Sequence, residues 1–211
     1  LDRKVTPTIE EAVHFDLQLK NCDRFTLDNQ VPVYAMNAGA QDVVMVEWVF
    51  DAGNWYDKQP MVAATTNFLI KNGTTSKSAY QINDFFEFHG AYLNRSCYNE
   101  TASLTLHCLS KHLETLLPVV REIIETSIFP EQELAIYIQN QKQRLSVNLQ
   151  KCDFIANRLI DEYLFGINHP YGTYSNAEDY DALNTDLLKA FYKQYYLNGS
   201  CKIFVAGKMP T

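Results

Sequence analysis

The segment Val43-Val44-Met45-Val46-Glu47-Trp48-Val49-Phe50, followed by Asp51-Ala52-Gly53, is the part of the sequence that decides the fold. Its first eight residues are rich in β-branched and aromatic side chains, which suit a half-buried position in a pleated sheet. The Asp and Gly residues that follow are typical of a turn that ends a strand. The sequence therefore predicts a central β-strand at Val43–Phe50.

Further strands are predicted on both sides of this segment, where short apolar runs are bounded by turn residues. They are residues 25–27 and 31–36 as one hairpin, residues 91–97 and 102–109 as a second, and residues 202–206 as a last strand.

Helices are predicted where apolar residues recur at helical spacing after a capping residue. The predicted helices are 61–71, 79–88 (capped by Ser78, with Gln81 in a capping box), 111–127 (capped by Ser110), 130 to about 152, 153–165 (capped by Asp153) and 186–196 (capped by Thr185). This order of strands and helices predicts an α+β domain with a mixed, largely antiparallel sheet and helices packed on one face.

Composition excludes some classes of function. The 211 residues are 46% apolar and include 13 Tyr and 12 Phe, so the chain can bury a substantial core. The formal net charge is -7 and no run of Lys or Arg is present, which argues against nucleic acid as a partner. No segment is long and apolar enough to predict a membrane span. The five cysteines have no paired C-x-x-C spacing, which excludes a zinc ribbon.

Eight short motifs occur in one order along most of the chain. They are Leu27-Asp28-Asn29, Phe50-Asp51-Ala52-Gly53, Asn72-Gly73-Thr74, Gly90-Ala91-Tyr92-Leu93-Asn94, Glu100-Thr101, Phe129-Pro130-Glu131, His169-Pro170-Tyr171-Gly172 and Phe204-Val205-Ala206-Gly207. On these motifs, residues 25–207 resemble the N-terminal domain of the pitrilysin–insulinase family of zinc peptidases, to which the mitochondrial processing peptidase belongs. The resemblance implies an N-terminal arm at 1–24, a single domain at 25–211, and a second homologous domain beyond Thr211. One departure is Gln30, where the family usually has a turn Gly.

The family's chemistry depends on a helix that reads His-x-x-Glu-His, located just before the Gly-Thr motif. Two His residues four positions apart share one helix face and can hold zinc, while the Glu activates the metal-bound water. In this chain the corresponding positions are Ala64, Asn67 and Phe68. None of these side chains is a zinc ligand that could replace imidazole.

The long helix that supplies the third zinc ligand in the family also lacks its ligand in this chain. The family takes a third ligand, a glutamate, from the long helix, but no carboxylate lies between Glu133 and Asp153. The corresponding region carries the neutral amides Gln139, Gln141 and Gln143. Zinc is expected for the family, yet its ligands are missing here. We therefore expect no cofactor, and no peptidase activity from this chain alone.

A displaced metal site is the remaining route to catalysis. His107, His112 and Glu114 lie close together in sequence around a predicted strand-to-helix turn. This alternative predicts stoichiometric zinc in the purified chain, although nothing in the sequence makes three ligands converge.

The strand at 91–97 matches the family strand that receives substrate backbone by strand addition, a mechanism that uses the free hydrogen-bonding groups of a sheet edge. Leu93, Asn94 and Arg95 are the candidate substrate-strand residues, and Asn94 occupies the position that typically contacts substrate. The alternative is a strand that no longer has a ligand.

The resemblance implies a non-catalytic domain that forms part of a peptide-binding chamber with an active homologous subunit and contacts unfolded peptide. The alternative is a purely structural subunit, as in the family's core proteins of the mitochondrial cytochrome reductase. The sequence leaves the compartment open; by family analogy we expect the periplasm or cell envelope.

Overall fold

The computed structural model describes residues 20–209. Most of the arm predicted at 1–24 lies outside these residues, and its last two residues already belong to a strand. The strands are β1 (Asp23–Thr26), β2 (Pro32–Asn37), β3 (Val43–Phe50), β4 (Tyr92–Cys97), β5 (Ala102–Leu109) and β6 (Cys201–Gly207).

Within the described residues these strands form one six-stranded sheet in the order β1-β2-β6-β3-β5-β4. The pairing of β2 with β6 is parallel, and the other pairings are antiparallel. This confirms the predicted mixed, largely antiparallel sheet. The segment Val43–Phe50 is a central strand, as predicted, and β4 is an edge strand whose only neighbour among the described strands is β5.

The helices are α1 (Val62–Leu69), α2 (Ala79–Phe88), α3 (Leu113–Thr126), α4 (Glu131–Asn148), α5 (Cys152–Phe165), α6 (Ala177–Asp181) and α7 (Thr185–Tyr192). Short helical turns at Asn54–Tyr56, Ser110–His112 and Lys193–Leu197 adjoin the longer elements. Among the described residues, no helix combines the length and apolar character that spanning a bilayer requires.

The two faces of the sheet differ in burial, and the difference follows the alternation of side chains along each strand. On β3, Val44 and Val46 are buried, whereas the alternate residues Met45 and Glu47 are only partly covered. The buried side chains join those of the helices in one core. The α+β fold with helices on one face is thus confirmed.

Local turn chemistry explains two sequence features. Ser78 accepts from the amide of Gln81, and the Gln81 side chain accepts from the amide of Ser78, which confirms the predicted capping box. Gln30 adopts φ of 67°, so the left-handed turn persists even though Gln, unlike Gly, meets steric resistance there.

Three predicted caps were wrong. The amide of Leu187 bonds to the side chain of Asn184, and Thr185 is the first residue of α7. Lys151, not Asp153, precedes α5. The Ser110 hydroxyl donates to the carbonyl of Lys208 instead of capping α3. At α7 both Asn184 and Thr185 are good capping residues, and the chain uses the first. Helices α3 and α5 begin without a side-chain cap.

Gly53 in the Asp-Ala-Gly motif is required by a close backbone approach. A Cβ atom at this position would lie 2.5 Å from the carbonyl oxygens of Tyr98 and Asn99. The amides of Gly53 and Asn54 donate to the carbonyls of Glu100 and Tyr98, which joins the end of β3 to the β4–β5 turn. The motif therefore supports the edge of the sheet on which β4 lies.

We predict that Leu106→Ala on β5 lowers the free energy of unfolding by about 2–5 kcal/mol, because Leu106 is fully buried and its truncation leaves a cavity. Leu109→Ala on the same strand is the matched control, since Leu109 is 39% exposed, and it should lose less than about 1 kcal/mol. Guanidinium unfolding curves measure both. Equal losses would show that the sheet is not buried in the way described.

Candidate functional site

Helix α1 carries Ala64, Asn67 and Phe68, the three positions that the resemblance assigns to the family's zinc-binding motif. The loop before it is tied to the helix, because a carboxylate oxygen of Asp57 accepts from the amide of Ala63 at 2.7 Å. Met61 adopts a left-handed conformation just before the helix, with φ of 72°. The buried side of α1 includes Thr65, Thr66 and Leu69. These contacts hold the helix in place without a metal ion.

Ala64 and Phe68 lie on the side of α1 that faces away from the core. Ala64 is half-buried and Phe68 is 41% exposed, which fits their separation of four residues on one helix face. The Phe68 ring packs against the buried ring of Tyr137 from α4, with 4.8 Å between centroids. Two aromatic rings therefore join α1 to α4, and one of them, Phe68, occupies a position that the resemblance assigns to a metal ligand.

Arg95 of β4 covers the same ring from the sheet side. Its guanidinium carbon lies 4.4 Å from the centroid of Phe68, within the range of a cation–π interaction. The guanidinium also donates to the carbonyl of Phe68 and to the Asn72 side chain at 3.2 Å. Burial lowers the pKa of Arg95 to about 10, which still leaves it charged at neutral pH. A side-chain cation thus lies beside a position that the family uses to bind a metal cation.

Asn67, at the position of the family's general base, is turned into the core and is only 2% exposed. Its amide donates to the hydroxyl of Tyr196 at 3.1 Å and to the carbonyl of Ser103 at 3.3 Å. Burial raises the pKa of Tyr196 above its usual range, so the phenol stays neutral. Asn67 links α1 to the sheet and to the turn after α7.

The three glutamine side chains predicted for the third-ligand region lie on different sides of α4. On α4 the buried residues are Leu134, Tyr137 and Leu145. Gln141 is half-buried on the same side of α4 as these residues, whereas Gln139 and Gln143 are exposed on other sides of the helix. At most Gln141 is directed toward the rest of the domain.

The side chains at these positions do not fit a catalytic zinc. A methyl group, a phenyl ring and an amide already bonded within the core supply no imidazole or carboxylate for the metal. The alternative residues do not converge either: within 20–209 no group of three His, Cys, Asp or Glu side chains could hold a metal ion. His107 stacks on Tyr92, and His112 lies beside His89, with 5.1 Å between ring centroids.

The predicted substrate-strand residues lie on both faces of β4. Leu93 is 3% exposed and belongs to the core. Asn94 pairs with Thr105 across the strands and is exposed, while Arg95 points to the helix side with Leu93. The edge position of β4 agrees with the prediction, and the structure adds the contacts of Arg95 with α1.

Sequence reasoning missed Tyr137, Tyr196 and Asn72 as parts of this region. Asn72 accepts from Arg95 and donates to the Glu133 carboxylate at 2.7 Å, which connects β4, the end of α1 and α4. The helical period of α4 singles out Tyr137 as a buried position, but no local pattern indicates that it contacts Phe68.

The fold and site can now be compared with known proteins. Residues 33–167 match the family described as insulinase, peptidase family M16. The chain belongs to this family, and the resemblance seen in its motifs is confirmed.

Two related proteins are zinc proteases that have not been characterised. One, YmxG from Bacillus subtilis, is 25% identical over 192 residues, which is 88% of this chain and 46% of that protein. The other, from Rickettsia felis, is 26% identical over 111 residues, which is 52% of this chain and 27% of that protein. The chain thus spans less than half the length of these relatives.

Solved structures share the fold. An inactive domain of peptidase M16 from Pseudomonas fluorescens superposes with a TM-score of 0.84 at 24% identity, covering 90% of this chain and 47% of that one. A protease from Helicobacter pylori superposes with a TM-score of 0.82 at 16% identity, covering 92% and 48%. The ferredoxin protease FusC, solved with Arabidopsis ferredoxin, gives 0.73 at 13% identity, covering 99% and 24%.

Replacing Asn67 tests its assignment to the core. We predict that Asn67→Ala lowers the free energy of unfolding by about 1–3 kcal/mol, because the buried Tyr196 hydroxyl loses its donor. Tyr196→Phe keeps the ring, whose centroid is 4.7 Å from that of Phe50. The double variant should lose less than the two single losses added together, because both remove the same bond. Strictly additive losses in urea unfolding would contradict this hydrogen bond.

The carboxyl of Asp57 predicts a pH dependence. Burial raises its pKa from 3.8 to about 7 in the folded chain. Because the folded-state pKa lies above the unfolded one, folding favours the protonated carboxyl. Its stabilising contribution is complete below the unfolded pKa and is lost as pH rises through about 7.

We therefore predict that raising the pH from about 5 to about 8 destabilises the Asp57→Asn variant less than the parent chain. The variant keeps a side-chain oxygen that can accept from the amide of Ala63. Unfolding free energies at several pH values measure this difference. The contributions of titratable groups that both proteins share cancel when the two profiles are subtracted. Parallel pH profiles would show that Asp57 titrates as an ordinary exposed carboxyl.

Proposed function

We propose that this chain is a non-catalytic domain of an M16 zinc-protease protein that forms part of a peptide-binding chamber together with an active homologous subunit. One observation carries the proposal: the helix that bears the metal ligands in the family is intact, but Ala64, Asn67 and Phe68 offer no donor for zinc. On this proposal the chain holds no zinc and hydrolyses no peptide by itself.

Two features of the fold support a role in binding. Among the described strands β4 pairs only with β5, and its other edge can pair with an extended peptide through backbone hydrogen bonds. Helix α5 has no buried residue among those described, although it carries large apolar side chains such as Leu159, Ile160 and Tyr163. Exposed apolar patches of this kind mark surfaces that contact other polypeptides.

Two structural relatives support the same proposal. The Pseudomonas fluorescens protein is described as an inactive M16 domain, so the family includes domains of this fold that lack activity. FusC was solved in complex with ferredoxin, so a related scaffold binds a protein. The partner of the present chain would be a homologue that carries the His-x-x-Glu-His motif.

Reconstitution tests this proposal. We predict that the full-length protein containing this domain shows no hydrolysis of an unfolded reporter peptide and holds less than about 0.1 zinc per chain, because Ala64, Asn67 and Phe68 supply no imidazole or carboxylate. Adding a homologue that carries the His-x-x-Glu-His motif should give zinc-dependent cleavage above that of the homologue alone.

The control uses the same homologue with its two zinc-binding histidines replaced, which should abolish cleavage without preventing association. Stoichiometric zinc in the isolated protein, or cleavage by it alone, would contradict the non-catalytic assignment. A stable complex that changes neither peptide binding nor cleavage would favour the structural-subunit alternative.

A further inference from the structure

A positively charged site lies beside the free edge of the sheet. Arg95 is on the helix-facing side of β4, next to the end of α1 where Lys71 follows the helix, and both residues are half-buried. Burial and, to a smaller extent, the charge of Arg95 lower the pKa of Lys71 to about 8. Arg95 bonds to the carbonyl of Phe68 and to the side chain of Asn72, which lie on either side of Lys71 in the sequence. The two cationic residues are therefore neighbours, in a chain whose formal net charge is -7.

The described part of the chain does not neutralise these charges with an ion pair. Within residues 20–209 the ion pairs are Lys77–Glu122, Arg121–Glu125, Lys142–Asp181 and Lys208–Asp42. The carboxylate of Glu133 is linked to Arg95 only through Asn72, whose side chain donates to Glu133 and accepts from Arg95. Glu87 raises the pKa of Lys71, but this effect is smaller than those of burial and Arg95.

Arg95 also keeps donors available. A guanidinium has five N–H groups, and the two bonds found for Arg95 both use Nη1. Nε and Nη2 have no acceptor among the described residues, and neither is among the buried unpaired atoms of that part of the chain. These donors therefore reach solvent, in the planar fork that matches a carboxylate.

Strand geometry places a bound peptide next to this fork. A peptide that pairs with β4 alternates its side chains between the two faces of the sheet, in step with the strand beside it. The peptide residue opposite Arg95 therefore directs its side chain toward the helix side, where Arg95 covers the ring of Phe68.

We propose that Arg95 and Lys71 form a carboxylate-binding site that selects peptides with an acidic residue, or their own C-terminal carboxylate, at the position opposite Arg95 on β4. This inference rests on the proposed binding of peptide at the edge strand. To the proposed peptide binding it adds the chemical class of the peptide. It also assigns the recognition of that peptide to Arg95 and Lys71, near the position that the resemblance gives to a metal ligand.

Peptide binding measured by fluorescence anisotropy tests the selection. Three labelled peptides of one extended sequence are compared: one with a central Glu and an amidated C-terminus, one with Gln and a free C-terminus, and one with Gln and an amidated C-terminus. The intact chain should bind one or both carboxylate peptides on the order of tenfold more tightly than the last, because charged hydrogen bonds are added. The peptide that binds tightly shows whether the recognised carboxylate belongs to a side chain or to the C-terminus.

Arg95→Gln should reduce that preference to within about twofold, because its charged fork is lost. Lys71→Gln should reduce the preference for carboxylate peptides by a smaller factor. This substitution breaks no side-chain hydrogen bond among the described residues. Lys142→Gln is the matched control, because it removes the same charge from a surface pair with Asp181. It should leave the preference unchanged.

A second measurement does not depend on strand addition. N-acetylglutamate N-methylamide, added to the isotope-labelled chain, should shift the Arg95 Nε–Hε resonance, whereas the glutamine analogue should not. Equal binding of all three peptides would overturn the carboxylate inference and leave edge-strand binding intact. No binding of any peptide would overturn edge-strand binding itself. An unmoved Arg95 resonance would overturn the carboxylate site whichever peptide result is obtained.

Discussion

The packing of α1 against the inner face of the sheet is the constraint on which the rest of this structure depends. Leu69 and Ile70 are fully buried at the end of this helix, and Asn67 bonds to the backbone of β5. These contacts need no metal, since they use the side of the helix that faces the core. The ligand positions Ala64 and Phe68 lie on the other side. The metal chemistry can therefore be lost without the loss of the fold, because different side chains of one helix carry the two tasks.

Loss of the ligands changes what the outer side of α1 can do. An active site would present imidazoles there, whereas this chain presents a phenyl ring held between Tyr137 and Arg95. An aromatic face is a favourable neighbour for a guanidinium, and it stabilises the cation where burial alone would disfavour its charge. The site thus keeps a positive charge, but one carried by a side chain that binds anions and cannot activate water as zinc does.

Much of the fold could be predicted from the sequence, because its signals are local. The β-branched run at Val43–Phe50, the capping box at Ser78 and the alternation at Ala102–Leu109 all agree with the structure. Boundaries were less predictable: Asn184 and Thr185 are both good caps, and the five-residue helix Ala177–Asp181 is too short for a periodic pattern. The assignment of Ala64, Asn67 and Phe68 to the family's metal positions stays a prediction, since it rests on counting within one helix.

The contacts that fill the site could not be read in this way. Arg95 and Phe68 are separated by 27 residues, and Asn67 and Tyr196 by 129, so no local pattern relates them. Only the sheet order, which makes β4 an edge next to α1, brings the guanidinium to the ring. The same order leaves the outer edge of β4 open. A half-buried cation beside an open strand is an arrangement that a purely structural wall does not require, because an apolar side chain would pack against Phe68 without the desolvation penalty of a charge.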